Sequence, residues 1–308
     1  MIARQASSVV VIGGGPGGYE AALVARRLGA QVTVVDSDGL GGSCVLTDCV
    51  PSKSLISTAH VVRRMSAATE HGVDISSLSA GTDLRAVNER ILALAAAQSA
   101  DITQRVTADG IRVCRGTGRL LSPSRVQVDF SDGGSEDLEA DVILVATGAT
   151  PRVMATARPD GERILTWTQI YALDRVPEKL VVVGSGVTGA ELAQAYLGLG
   201  SQVTLVSSRD QVLPGEDSDA AKVIEDVFKR EGMQVLSRSR MSAVERTSDG
   251  VLVRLEDGRT VEGSHALLAV GSVPNTRGIG LEPAGVLLGP GGHIPVSYTH
   301  LPAHETDS

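Results

Sequence analysis

The chain has 308 residues and a formal net charge of -8, so it has room for about two domains and lacks a broad basic surface. This balance excludes the basic kind of nucleic-acid or lipid-surface protein and leaves a small molecule as the expected partner. Apolar residues make up 42% and aromatic residues 2% of the chain, and its 35 glycines suit packed α/β layers better than an all-β sandwich.

The N-terminal region shows no targeting or membrane segment. No run of residues is apolar for long enough to span a bilayer, and the strand-like run "SSVVVIGGG" begins at Ser7, which leaves no room for a signal peptide. We therefore expect a cytoplasmic protein without a membrane span. Three cysteines in a chain of this length do not make a secreted disulfide framework.

Residues 9–38 predict a strand, a glycine turn, a helix and a second strand, in that order. The turn has the spacing G-x-G-x-x-G at Gly13, Gly15 and Gly18, which in this context is typical of a dinucleotide-binding unit. These glycines permit the tight turn, the approach of a pyrophosphate and close packing of helix on strand, respectively. Asp36 ends the second strand, where a carboxylate binds an adenosine ribose, and this favours FAD or NAD.

The next segment, "GGSCVLTDCVPSK", places Cys44 and Cys49 five positions apart. On an ideal helix such positions lie about 8.6 Å apart at Cα, beyond the roughly 7 Å limit for a disulfide. The two cysteines can therefore form a bridge only if the backbone between them departs from a regular helix. A zinc site lacks further ligands, so we predict no metal. A redox pair is the favoured interpretation, two unlinked core cysteines are the alternative, and Cys114 is predicted to be a core residue.

The middle of the chain changes from helix to strand. Residues 54–109 are predicted to be mainly helical, and residues 111–148 alternate as strands do. The last of these strands runs into Thr147 and Gly148, where we expect the chain to leave the first nucleotide domain. Residues 250–275 repeat this pattern, and we expect the chain to cross back there, after the strand that ends near Gly271.

Residues 180–209 repeat the unit of residues 9–38. Gly184, Gly186 and Gly189 restore the glycine spacing, and Glu191 stands where the first copy has Glu20. A strand, glycine turn, helix and strand occur again. The second copy therefore predicts a second dinucleotide-binding domain.

The second copy ends differently from the first. Its second strand ends in Ser207, followed by Ser208 and Arg209, in place of the carboxylate. The loss of the carboxylate removes repulsion toward a 2'-phosphate, and the hydroxyls and guanidinium supply donors for it. NADP(H), or tolerance of both nicotinamides, is therefore the favoured cofactor; a solvated loop charge at Arg209 is the alternative.

Taken together, these motifs resemble the flavoprotein disulfide reductases, class I pyridine nucleotide-disulfide oxidoreductases such as dihydrolipoamide dehydrogenase and glutathione reductase. The hallmarks are two G-x-G-x-x-G units, a C-x4-C-x-P-S-K motif and an "ATG" crossover, and the resemblance covers about residues 8–296. It implies an α/β fold with two Rossmann-like domains, FAD and NADP(H) or NAD(H) as cofactors, and a homodimer. The predicted domains are residues 1–150 (FAD, with the cysteine pair), residues 151–275 (NAD(P), inserted), residues 276–296 (return to the FAD domain) and residues 297–308 (tail).

The resemblance also assigns roles to individual residues. Cys49 would be the thiolate facing the flavin, Cys44 the thiol that exchanges with substrate, and Lys53 and Glu191 an ion pair beside the reactive flavin nitrogen. Asp48 replaces a glycine of the usual motif, and its charge should raise the pKa of a nearby thiolate. The expected cofactor-binding residues are Gly13, Gly15, Gly18, Asp36, Gly42, Thr147, Gly148, Gly184, Gly186, Gly189, Ser207, Ser208, Arg209 and Gly271.

Segments such as "SSRDQVLPGED" are most similar to the NAD(P)H:quinone reductase branch of this family. The resemblance therefore implies an enzyme that passes hydride from NAD(P)H through flavin to a quinone. The rival is a dihydrolipoyl dehydrogenase that uses a Cys44–Cys49 disulfide and NAD+. A redox sensor without enzymatic activity is the third hypothesis.

The end of the chain departs from the family pattern. Family members continue to an "AAGD"-type motif and an interface domain that supplies a His-Glu pair, whereas this chain reads "SYTHLPAHETDS". We expect an incomplete FAD domain, no interface domain, and weak FAD binding by this polypeptide alone. His300, His304 and Glu305 are not expected to form a metal or catalytic site.

Overall fold

The computed structural model describes residues 7–73 and 81–295, and its chain divides into two compact units. The tail singled out in the sequence, residues 297–308, lies outside the described residues. The first unit comprises Met1–Gly42, Ser99–Thr150 and Val273–Ser308; the second comprises Ser43–Gln98 and Pro151–Ser272.

A six-stranded sheet forms the centre of the first unit. Its strands are β1 (Ser8–Ile12), β2 (Gln31–Asp36), β3 (Arg112–Ser122), β4 (Arg125–Phe130), β5 (Ser135–Glu139) and β6 (Val142–Val145). They lie in the order β5-β4-β3-β2-β1-β6; the last four are parallel, and β3, β4 and β5 form an antiparallel meander. Helix α1 (Pro16–Arg27) connects β1 to β2. The valines of β1 and β2 are buried, except Val9, which is partly buried, as expected for strands covered on both faces.

The second unit contains a five-stranded parallel sheet. Its strands are β8 (Ile164–Thr166), β9 (Lys179–Val183), β10 (Gln202–Val206), β11 (Gln234–Leu236) and β15 (His265–Leu268), in the order β11-β10-β9-β15-β8. Helix α5 (Val187–Gly198) connects β9 to β10, and α6 (Ser218–Arg230) connects β10 to β11. An antiparallel meander of β12 (Met241–Arg246), β13 (Val251–Leu255) and β14 (Thr260–Gly263) precedes β15. The two parallel-sheet units confirm the predicted fold class.

Most of the helical region that contains and follows the cysteine pair belongs to the second unit. It contains α2 (Gly42–Leu46), α3 (Cys49–Ser66), a short 3₁₀ helix at Ala68–His71 and α4 (Leu84–Ala108), whose residues from Ser99 onward belong to the first unit. A second 3₁₀ helix lies later in the chain, at Ile170–Ala172. Leu55 of α3 and Ile91 of α4 are fully buried and share a core with Tyr196 of α5. A Cβ on Gly198 would lie 3.1 Å from that of Ala59, so α3 and α5 approach closely. Residues 43–73 and 81–98 thus pack with the second unit, whereas the predicted first domain included them.

Two short strands mark the places where the chain passes between the units. They are β7 (Ala149–Pro151) and β16 (Ser272–Pro274), and they pair with each other. The passages lie at Thr150/Pro151 and Ser272/Val273. In residues 7–73 and 81–295 no helix combines the length and the apolar character that a membrane span needs.

Candidate functional site

The first glycine turn, between β1 and α1, allows almost no side chain at two of its positions. Gly13 has φ of 105°, and a Cβ on it would lie 2.2 Å from the Ala146 carbonyl oxygen. A Cβ on Gly18 would lie 1.9 Å from the Gly13 carbonyl oxygen. At Gly15 the nearest atom to a Cβ is the Gly42 Cα, at 3.9 Å. The turn is therefore closed toward the sheet and open at Gly15, where a pyrophosphate would approach.

Asp36, at the end of β2, fixes the loop that follows it. Its Oδ2 accepts a hydrogen bond from the Gly14 N–H at 2.7 Å, and its Oδ1 accepts from the N–H groups of Asp38 and Gly39 at 2.9 and 2.8 Å. A carboxylate offers about four lone-pair positions, so capacity for a ribose hydroxyl remains. The predicted ribose ligand thus also holds the glycine turn in place.

Thr147 and Gly148 follow β6 and are held by a residue that the sequence analysis did not select. The Asn275 side chain donates to the Thr147 carbonyl oxygen, and the Asn275 N–H donates to that of Gly148, both at 3.0 Å. Gly148 has φ of 65°, which suits glycine. Asn275 lies in the segment where the sequence predicts that the chain crosses back, but its hydrogen bonds depend on the fold.

The second glycine turn has the same construction. Gly184 has φ of 110°, and a Cβ on it would lie 2.1 Å from the Ala269 carbonyl oxygen. A Cβ on Gly189 would lie 1.9 Å from the Gly184 carbonyl oxygen. A Cβ on Gly186 would meet nothing within 4 Å. Gly186 therefore faces open space.

That open space is a cavity of about 790 Å³ within the second unit. This volume lies in the range typical of small-molecule sites. The carboxyl ends of β9, β10 and β15 meet there, at the edge where open α/β sheets bind their ligands. The lining includes Gly184, Gly186, Gly189, Ser208, Arg209 and Gly271 of the predicted residues, together with Trp167 and Arg240.

Ser207 differs from the prediction that it donates directly to a phosphate. Its side chain is fully buried, and its Oγ lies 2.7 Å from the Ser185 Oγ and accepts from the Arg209 N–H at 3.1 Å. It does not line the cavity, whereas Ser208 and Arg209 do. The sequence could not show this, because three adjacent residues beyond a strand need not face the same way. Ser207 shapes the loop beneath the site.

Arg240 is a cavity residue that the sequence analysis missed. The N–H groups of Arg238 and Ser239 donate to the carbonyl oxygens of Arg209 and Ser207 at 2.9 and 2.7 Å. The loop after β11 therefore lies against the loop after β10 and brings Arg240 to the same cavity as Arg209. Its nearest carboxylate, Glu256, is 3.9 Å away. Only the parallel pairing of β10 and β11 could have indicated this residue.

The two cysteines of the redox segment lie on either side of a break in the helix. Helix α2 ends at Leu46 and α3 begins at Cys49, and Asp48 between them has φ of −128° and ψ of −94°. The backbone between the two cysteines thus departs from a regular helix, which is the condition that their spacing sets for a disulfide. Both cysteines are free thiols here, with Cys44 partly buried and Cys49 exposed. Cys114 is buried in β3, as predicted for a core residue.

Lys53 and Glu191 form the ion pair that the resemblance implied. Lys53 lies in the first turns of α3 and Glu191 in α5, and the Lys53 Nζ lies 2.8 Å from each Glu191 carboxylate oxygen. Burial acts to lower the pKa of Lys53, but the hydrogen bond and charge of Glu191 outweigh it and raise that pKa. The Ser52 Oγ lies 3.5 Å from both the Lys53 Nζ and Glu191 Oε2. A fixed positive charge therefore stands within one helical turn of Cys49.

The groups around Cys49 favour its neutral form. Burial, a hydrogen bond to Cys44, and the charges of Cys44 and Asp48 raise the pKa of Cys49, while Lys53 opposes them. Burial also raises the pKa of Asp48, where Lys53 acts in the opposite direction and Glu191 adds to the rise. The surroundings of Cys49 thus raise its pKa, whereas the family resemblance implies a thiolate at this position. In residues 7–73 and 81–295, no three His, Cys, Asp or Glu side chains are grouped as a metal site requires.

Comparisons with known proteins agree with this geometry. The family model described as pyridine nucleotide-disulphide oxidoreductase matches residues 7–300. An NAD(P)H dehydrogenase (quinone) of Mycobacterium tuberculosis is 50% identical over 297 residues, which cover 94% of this chain and 60% of that protein. A dihydrolipoyl dehydrogenase of Bacillus subtilis is 32% identical over 300 residues, covering 96% of this chain and 65% of that protein.

A solved structure is similar over the same part of the chain. The crystal structure of LpdA from Mycobacterium tuberculosis matches with a TM-score of 0.88 and 49% identity, covering 94% of this chain and 64% of that one. The chain thus spans less than two thirds of the length of these relatives.

Proposed function

Since the chain belongs to the pyridine nucleotide-disulphide oxidoreductase family, we propose that it carries the nucleotide-binding and redox segments of an FAD-dependent enzyme that reduces a quinone with NADPH or NADH. The Lys53–Glu191 pair is the observation that carries this proposal. This ion pair joins α3, the helix of the redox motif, to α5, the helix of the second glycine turn. It therefore links the two predicted functional segments.

The residues of the first unit fit the diphosphate end of FAD. The glycine turn is open at Gly15, and Asp36 keeps acceptor capacity for a ribose while it holds the turn. Bound flavin supplies two-electron chemistry, which links a hydride donor to an acceptor. The protein's contribution is to bind the cofactor at Gly13, Gly15 and Gly18 and to place Lys53 and Cys49. We propose Gly42, Thr147 and Gly148 as further backbone contacts.

The cavity of the second unit fits a nicotinamide dinucleotide. The N-terminus of α5 and the open position at Gly186 suit a pyrophosphate. Ser208, Arg209 and Arg240 line this cavity and offer a hydroxyl and two guanidinium groups, and the Glu256 carboxylate lies 3.9 Å from the guanidinium of Arg240. We propose that these three residues bind the 2'-phosphate of NADPH, with Ser207 as the buried support of their loop.

Replacing Arg209 or Arg240 with alanine is expected to raise KM for NADPH about tenfold, because each removes a charge-assisted bond worth about 1.5 kcal/mol. KM for NADH should change little. Initial rates with both nucleotides at fixed acceptor concentration measure this. Arg238→Ala is the matched control, since Arg238 bonds to Asp210 at 2.6 Å and does not line the cavity. An unaltered enzyme with a kcat/KM for NADH tenfold above that for NADPH would contradict the phosphate site.

We propose a quinone as the electron acceptor, with a dihydrolipoyl substrate as the rival. The greater similarity to the quinone dehydrogenase supports the quinone, and so does the raised pKa of Cys49, which disfavours a thiolate. The complete protein is further proposed to be a cytoplasmic homodimer, on the family resemblance and the composition.

The substitution Cys44→Ser in the complete protein separates the two acceptors. Direct transfer to a quinone should keep at least about half of its kcat, since no sulfur takes part, whereas dithiol oxidation should fall by about a thousandfold or more because the exchanging thiol is lost. Steady-state assays with a benzoquinone and with dihydrolipoamide measure both. Equal loss of the two activities would contradict the proposal. Reduction by NADPH without turnover on either acceptor would favour the sensor hypothesis.

A further inference from the structure

The cavity of the second unit contains a carboxylate in addition to its arginines. Among the residues that the structure describes, Glu256 is the one Asp or Glu side chain in the cavity lining. It lies in the turn between β13 and β14, and its side chain is 60% exposed. Its negative charge is therefore accessible to a nucleotide that binds in the cavity.

Backbone hydrogen bonds hold the turn of Glu256 against the two loops that carry the arginines. The Glu256 N–H donates to the Arg240 carbonyl oxygen at 2.9 Å. Two residues before Arg240, the Arg238 N–H donates to the Arg209 carbonyl oxygen, also at 2.9 Å. Glu256, Arg240 and Arg209 thus come from three neighbouring, hydrogen-bonded segments of the cavity wall.

The side chains of Glu256 and Arg240 lie close together without a hydrogen bond between them. The Glu256 Oε2 is 3.9 Å from the Arg240 Nε, beyond hydrogen-bond distance. Both side chains are more than half exposed, and an exposed pair at this distance contributes little to folding. The carboxylate and the guanidinium are therefore both available to a ligand.

The second glycine unit lacks the carboxylate that ends the first one. Asp36 ends β2 in the first unit, whereas Ser207 stands at the matching place in the second and is fully buried. A dinucleotide with a free ribose 2'-hydroxyl is usually bound through a carboxylate acceptor at this place. Of the described side chains that line the cavity, Glu256 alone can supply such an acceptor, and it does so from a different loop.

We propose that Glu256 is a specificity-determining residue that lets the cavity accept NADH as well as NADPH. Its carboxylate accepts a hydrogen bond from the ribose 2'-hydroxyl of NADH. Toward the 2'-phosphate of NADPH it acts in the opposite direction, because it repels the phosphate and competes with it for Arg240. The inference rests on the proposed function for the identity of the ligand. The nucleotide preference is thus set by Glu256 against Arg209 and Arg240, not by the residue that ends β10.

The binding of two adenosine nucleotides tests this role without an electron acceptor. Adenosine 2',5'-bisphosphate and AMP differ only in the 2'-phosphate. In the complete, FAD-loaded protein, Glu256→Gln is expected to lower Kd for the bisphosphate about fivefold, the size of a repulsion between exposed charges ~4–8 Å apart. Kd for AMP should rise about threefold, because a neutral acceptor replaces a charged one. Isothermal titration calorimetry measures both constants, whose ratio should change by about tenfold or more.

A charge-conserving variant and a distant variant serve as controls. Glu256→Asp keeps the charge, so its ratio should stay closer to that of the parent than the ratio of Glu256→Gln does. Glu245→Gln removes the same charge from β12, where Glu245 binds Arg254 at 2.8 Å outside the cavity lining, and both Kd values should stay unchanged.

Two results would overturn the role of Glu256. One is a ratio of Kd values in Glu256→Gln that equals the parent's or moves in favour of AMP; the other is an equal change in Glu245→Gln. If the unaltered protein bound neither nucleotide, the nucleotide cavity of the proposed function would itself be refuted. Normal binding of both without quinone turnover would refute only the proposed acceptor.

Discussion

The substitution Gly189→Ala is expected to destabilise the second unit by about 3 kcal/mol or more, because a Cβ 1.9 Å from the Gly184 carbonyl oxygen forces α5 away from β9. Neither the helix nor the buried strand can move without disturbing the core they share. Nucleotide binding should be lost together with the fold. Urea unfolding followed by circular dichroism gives the loss of stability, and the same experiment on Gly18→Ala should show a similar loss in the first unit.

Gly186→Ala is the matched variant that separates binding from folding. Its Cβ meets nothing within 4 Å, and its φ of −69° is open to any residue. Stability should stay within about 0.5 kcal/mol of the parent, while affinity for NADPH should fall at least tenfold because the methyl group occupies the approach of the pyrophosphate. The single tryptophan, Trp167, lines the cavity, so its fluorescence can follow the titration. Unchanged affinity in Gly186→Ala would contradict the assignment of the cavity.

The tight turns at these glycines could be predicted from the sequence for a physical reason. Gly184 and Gly189 sit where backbone meets backbone, and that constraint excludes all other residues, so the spacing alone reveals it. Arg240 obeys no such constraint. It reaches the cavity because β11 pairs with β10. This pairing lies three elements beyond the motif, so the spacing of residues within the motif does not indicate it.

In the cysteine segment, too, the sequence bears on local backbone structure but not on tertiary packing. The spacing of the cysteines set only a condition, that a disulfide needs an irregular backbone between them, and the structure shows such a break between Leu46 and Cys49. The packing of α3 against α5 did not follow, because an amphipathic helix shows that it has a partner without showing which one. Domain limits drawn from motif order therefore placed residues 43–98 in the first unit, whereas their apolar side chains fill the core of the second.

The substitution Lys53→Met is expected to lower kcat for NADPH-dependent quinone reduction about a hundredfold in the complete protein. In the proposed reaction, a positive charge fixed beside the redox segment would stabilise the negative charge that arrives with a hydride, and an oriented charge of this kind is worth about 3 kcal/mol in a transition state. Glu191→Gln should cost less, about tenfold, since the ammonium remains but is no longer held at 2.8 Å. Stopped-flow measurement of flavin reduction by NADPH reports the affected step directly.

Stability and a second ion pair separate this role from a structural one. The Lys53 side chain is 58% exposed, so the pair contributes little to folding and the melting temperature should hardly change. Lys222→Met breaks an ion pair of the same length on α6 and should leave turnover intact. If Lys53 acts only while Glu191 holds it, the double variant should be about as slow as Lys53→Met alone. Losses that multiply in the double variant would mean that the two residues act separately, and the joining of α3 to α5 would then have no catalytic consequence.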